Sequence, residues 1–171
     1  MKKNILWAII VIAAGLLQVT WLEKLKLPAT GNTLPDLMVL LVIYFSLMEG
    51  PERAMFTGAL GGLFSDVLSN SVLGHHILCY VVIGYAAGRM SSRLVTYHPA
   101  VKAGLVLIAS LIKGFLSTAI SYIQRPDWPA LHELAANVVP GAFYTALITP
   151  LVFWILGQLL RRFTPAVETE A

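Results

Sequence analysis

Apolar residues in this chain fall into long runs separated by short polar breaks, and those runs set the first expectation. A helix crossing about 30 Å of hydrocarbon needs about 20 mostly apolar residues. Measured against that length, the chain divides into six stretches: residues 4–22, 34–48, 54–68, 72–90, 101–123 and 138–160. The second opens at Pro35, a residue suited to the first helical turn because its missing N–H would be unpaired there anyway. It stops at Glu49-Gly50-Pro51-Glu52-Arg53, a polar turn with two residues that break helices, and Ser69-Asn70-Ser71 follows the third. The pattern predicts an all-α integral membrane protein, a compact bundle of six transmembrane helices forming one domain over residues 1–171. A competing parse makes the short second and third stretches a re-entrant hairpin, which must be shielded by protein or line a wet cavity.

Composition narrows the class. Hydrophobic residues make up 57% of the 171 and charged residues only 12%, against about 25% charged in ordinary soluble domains. With a mean hydropathy of +0.76, too few ionic side chains are present to coat a water-soluble globule of this size. The net charge of +3 is spread along the chain, and nucleic-acid binding, which needs a clustered basic stripe, is excluded.

Where the cations sit gives an orientation. With six crossings and the N-terminus inside, Lys2, Lys3, Arg53, Arg89, Arg93, Lys102, Arg161 and Arg162 are cytoplasmic. Only Lys24, Lys26 and Arg125 lie outside, and Lys113 is within the fifth span. Eight cations against three agree with the positive-inside rule, so both termini are expected in the cytoplasm. Trp7, Trp21, Tyr97, Tyr122 and Trp128 fall near span ends, as aromatic belts require. The first run continues to Leu22 without the small-residue cleavage pattern of a removed signal peptide, and reads as a retained anchor.

Lipid tails give helices no hydrophobic reason to associate, so small residues that admit close backbone approach become the packing candidates. Gly58 and Gly62 in the third span and Gly84 and Gly88 in the fourth share the small-xxx-small spacing. Two ionisable residues fall inside predicted membrane. Asp66 lies beyond Arg53, and Lys113 beyond Lys102, by distances that place each roughly 16–20 Å past the inner boundary at 1.5 Å per residue. Because an intramembrane charge costs at least about 2.5–3.5 kcal/mol, one reading pairs the two as a buried polar couple; the other has Asp66 at the outer headgroups capping the Ser69-Asn70 turn and Lys113 snorkelling toward a wet groove.

Catalytic and metal chemistry find little support. His75 and His76 are adjacent, unlike the i, i+4 pair that converges on a metal. The single cysteine, Cys79, sits in an apolar run and reads as a packing residue. No nucleophile elbow, zinc-protease helix or phosphate-binding glycine loop is present, so no catalytic residue, cofactor or metal is expected. Between the fifth and sixth spans, Asp127 can cap a short helix whose apolar positions Leu131, Leu134, Ala135 and Val138 suit one lying flat on the outer surface. Pro150 is expected to kink the sixth span.

An ordered set of residues resembles the bacterial rod shape-determining MreD family. Pro35 and Asp36 open a short helix, Glu49-Gly50-Pro51 and Arg53 form an inner turn, then come Gly61-Gly62 with Asp66 and Ser69, Gly74, and Tyr85 with Gly88. The resemblance implies a noncatalytic inner-membrane scaffold of the elongation machinery for lateral cell wall. It would bind MreC, in an assembly with MreB filaments, the RodA glycosyltransferase and a class B penicillin-binding protein. The family is also similar in architecture to the substrate-binding components of energy-coupling-factor vitamin transporters, which supplies an alternative function. Those components carry an Ala-x-x-x-Ala pattern on the first helix, and here Ala8, Ala13 and Ala14 are followed four residues on by Ile12, Leu17 and Gln18.

Overall fold

The computed structural model describes residues 2–20, 34–68, 73–91, 98–124, 126–127 and 129–163. Its elements are α1 (Lys2–Thr20), α2 (Leu37–Glu49), α3 (Pro51–Leu68), α4 (His75–Ser91), α5 (Pro99–Gln124), a short α6 (Ala130–Glu133), a π-helical turn (Leu134–Val138) and α7 (Val139–Phe163). Among the described residues, two helices, Pro99–Gln124 and Leu131–Arg162, are long and apolar enough to cross a membrane, while Asn4–Gln18 and Leu37–Glu49 are shorter apolar helices.

The centre of the bundle is α2. Its residues from Met38 to Ser46 are all buried, as suits a helix that is apolar on every side. Helices α1, α3, α4, α5 and α7 surround it. Contacts at the two ends show that successive helices run in opposite directions. At one end Arg53 of α3 bonds Glu49 of α2 at 2.9 Å and donates to Asn4 of α1 at 2.7 Å. At the other, Gln18 near the end of α1 accepts from the Met38 backbone N–H at 3.2 Å. Between them the Trp7 indole N–H donates to the Thr57 hydroxyl at 2.8 Å, tying α1 to α3.

Helices α3 and α4 form the most intimate pair, and their glycines face each other's backbone. A Cβ added at Gly58 would stand 2.6 Å from the Tyr80 carbonyl oxygen, and one at Gly84 2.8 Å from that of Ala54. At Gly62 it would run into the Ile77 backbone, and at Gly88 into Pro51. Both members of each glycine couple therefore sit where backbone meets backbone. Gly61 faces the other way, toward α2, where a Cβ would come within 2.6 Å of the Met38 sulfur.

Three expectations about element boundaries are corrected. The inner turn shrinks to Gly50, whose φ of +86° reverses the chain, because Pro51 occupies the first position of α3 and needs no N–H partner there. Pro35 is buried just ahead of α2 rather than inside its first turn, since Asp36 takes the cap. The outer segment is no separate surface helix. Residues 130–163 form one continuous helical rod, whose π-helical turn sets Val138 against Gly114 of α5. Pro129 rather than Asp127 directly precedes that rod. Helix α7 also continues through Pro150.

The outside of the bundle is apolar. Along α7, Phe143, Leu147, Leu151 and Trp154 are 59–76% exposed, and along α1 Ile5, Ile9, Ile12 and Leu16 are exposed as well. A contiguous apolar coat of this kind does not suit water, whereas the helices satisfy their own backbone groups as lipid demands.

Candidate functional site

Polar chemistry inside the bundle gathers at the end opposite Arg53, around the N-terminus of α2. An aspartate just before an apolar run is an N-cap signature, and Asp36 performs that role. Its Oδ1 accepts from the Met38 and Val39 backbone N–H groups at 3.0 and 3.1 Å. The same carboxylate accepts from the Tyr80 hydroxyl of α4, at 3.0 Å to Oδ1 and 2.9 Å to Oδ2. Lys113 of α5 places its Nζ 3.0 Å from Oδ2 and 5.5 Å from the centre of the Tyr80 ring, within cation–π range. Backbone N–H of Asp36 donates to Thr145 of α7 at 3.0 Å. One aspartate thus draws α4, α5 and α7 onto the start of α2.

Asp66 does not join this group. The expected Asp66–Lys113 pair is replaced by Asp36–Lys113, and Asp66 turns to the N-terminus of α4. Its carboxylate, fully enclosed, accepts from the backbone N–H of Gly74 at 2.8 Å and of His76 at 2.9 Å. The His76 Nδ1–H donates to the same Oδ1 at 2.9 Å. Gly74, at φ +101°, lets the chain bend so that these N–H groups point at one carboxylate. The physical reason for the correction is competition at one depth: Asp66 finds the unpaired donors of a helix start, while Lys113 finds the other carboxylate at the same level. Equal depth alone did not distinguish the two acids.

The two histidines diverge. His76 is held by Asp66, whereas His75 Nε2 lies 2.7 Å from the Ser117 hydroxyl of α5. Among the described residues, no group of three or more His, Cys, Asp or Glu side chains could hold a metal ion. Tyr85 is on the outer flank of α4, with its hydroxyl accepting from Arg89 Nε at 3.3 Å. Ser69 lies outside the described residues.

Above the Asp36–Lys113 pair is a cavity of about 300 Å³ between α2, α5 and the 130–163 rod. Its lining includes Gln18, Ser110, Ser117, Glu133, Asn137 and Thr145. Ser110, only 7% exposed, has a hydroxyl without a hydrogen-bond partner among the described residues. The arrangement is suited to locking helices and holding polar groups. Both oxygens of Asp36 are occupied by donors.

Sequence reasoning paired Lys113 by depth and passed over Tyr80, Gln18 and Thr145. A tyrosine enclosed in an apolar run needs a partner for its hydroxyl, and the cap signature at Asp36 names an acid at the right level, so both signals were in the chain. The sequence profile of the family described as rod shape-determining protein MreD matches residues 1–163. No curated protein matches the chain.

Proposed function

The chain belongs to the MreD family of rod shape-determining membrane proteins, and we propose that it acts as a noncatalytic scaffold of the cell-elongation complex. In this reading it spans the bacterial inner membrane six times with both termini in the cytoplasm. It binds MreC and, through MreC, works with MreB, RodA and a class B penicillin-binding protein to organise lateral peptidoglycan synthesis. The observation that carries the reading is the extent of the family match, which runs from residue 1 to residue 163.

Physical features support it. Alternating helix directions, an apolar outer coat and the eight-to-three bias of cations toward one side suit a multi-pass protein. The interlocked glycines at positions 58, 62, 84 and 88 and the Asp36–Lys113 pair make a rigid frame, which is what a protein that positions others must offer. Pro35, Gly61 and Gly74 belong to that frame through the α2 and α4 starts.

The polar cavity favours one other reading, a substrate-binding component of a vitamin transporter, although the first helix lacks the Ala-x-x-x-Ala contact pattern. Purifying the tagged chain from rod-shaped cells in mild detergent, followed by mass spectrometry, decides between them. Stoichiometric MreC is the expected result. A stoichiometric bound vitamin with no MreC would overturn the scaffold.

A further inference from the structure

The end of the bundle that carries Asn4, Glu49 and Arg53 has a groove of about 510 Å³ between the end of α2, the start of α5 and the end of α7. Lys102 and Arg161 line it from different helices, together with Tyr44, Phe153, Trp154 and Gln158. Among the described residues neither cation has an ion-pair partner. Glu49 also lines the groove; its carboxylate is engaged by Arg53 at 2.9 Å, and Arg53 itself stacks over Trp7 and bonds Asn4. The groove continues into a second space of about 220 Å³ that shares Lys102, Phe153 and Trp154 and extends along Thr149 and Pro150.

We propose that this groove binds the headgroup of an anionic phospholipid, with the phosphate between Lys102 and Arg161 and an acyl chain lying along Phe153 and Trp154. Charge and shape select this occupant. Two cations at one opening, without an ion-pair partner among the described residues, suit a single phosphodiester, which guanidinium and ammonium groups recognise through charge-assisted hydrogen bonds. The Tyr44 hydroxyl and the Gln158 amide add polar groups for the remainder of a headgroup. Trp154, 64% exposed at the mouth, is the residue type that settles at the headgroup level. Basic pockets between membrane helices hold acidic headgroups for these reasons. The inference rests on the reading that the chain is embedded in a bilayer, and it adds a specific lipid contact at the end where the cations concentrate.

The test uses the full chain in neutral detergent, with thermal unfolding followed against added short-chain phosphatidylglycerol, phosphatidylcholine or inorganic phosphate. Saturable stabilisation by phosphatidylglycerol is expected, with phosphatidylcholine at least tenfold weaker and inorganic phosphate without saturable effect. Removing charge in Lys102→Gln or Arg161→Gln should weaken the phosphatidylglycerol affinity about fivefold each, and about 25-fold together. The charge-keeping pair Lys102→Arg with Arg161→Lys should bind within a fewfold of the parent, which separates lost recognition from lost folding. Arg89→Gln, a cation outside the groove, should leave binding unchanged. Equal response to both lipids, saturation by phosphate alone, or an equal loss in Arg89→Gln would overturn the proposal. Co-purification of MreC with the Lys102→Gln, Arg161→Gln variant is read separately: it is expected to persist, and its absence in the parent chain as well would count against the scaffold and not against the lipid site.

Discussion

Replacing Lys113 with Met leaves the Asp36 carboxylate at the start of α2 with its hydroxyl and backbone donors but no counter-charge. The pair is mostly enclosed, with side-chain exposures of 21% for Lys113 and 14% for Asp36. At the observed 3.0 Å separation and an effective dielectric of about 20, the direct attraction is about 5.5 kcal/mol. Desolvation of two ions takes back a large part of that, which leaves a coupling of about 1–3 kcal/mol, the upper part of the range of about 0.5–3 kcal/mol for contacting pairs. The assay is a double-mutant cycle in detergent, with unfolding followed by tryptophan fluorescence. Asp36→Asn preserves a capping side chain and so isolates the charge. Lys113→Met and Asp36→Asn should each destabilise, and the double variant should lose less than the sum by about 1–3 kcal/mol. A parallel cycle with Asp66→Asn should show a coupling to Lys113 smaller by at least about 1 kcal/mol. Additive losses for Asp36 and Lys113, or an equal or larger coupling of Lys113 to Asp66, would refute the pairing.

Three further substitutions probe packing and the cavity. Gly62→Ala should destabilise by about 1–3 kcal/mol, because its Cβ meets the Ile77 backbone, which cannot yield as a flexible side chain would. Gly104→Ala, with nothing within 4 Å of its Cβ, should instead stabilise α5 by about 0.5–1 kcal/mol; thermal unfolding of both variants checks the contrast, and losses of equal size would contradict the interlocked interface. Ser110→Ala should leave stability unchanged or raise it by up to about 1–3 kcal/mol, since the hydroxyl is enclosed without a hydrogen-bond partner among the described residues. A clear loss in the same assay would show that the hydroxyl is satisfied in solution by something held in the cavity.

Much of the helical order was legible in the chain. Each of the six apolar runs contains a helix, and α2, apolar on every side, is the one the bundle encloses. Boundaries moved where backbone chemistry outweighs hydropathy. Pro51 begins α3 as soon as Gly50 has turned the chain, and α6 flows into α7 through a π-helical turn that hydrophobic periodicity does not encode.

By itself the sequence determined the class of the protein. A charged fraction of 12% and six apolar runs are one-dimensional properties, and they suffice because transfer of apolar helices into lipid depends on length and composition. The glycine spacing likewise marked two close-packing faces, since residues four apart share one side of a helix. Which acid meets which base was decided only by the tertiary structure. Asp36 and Asp66 lie at the same level, each near a helix start, and depth along the chain does not separate them. Their partners follow from the azimuth of each helix around the bundle. Lys113 faces the start of α2, and Asp66 faces the start of α4. That rotation is a collective outcome of packing five helices around α2, so no local stretch of sequence carries it.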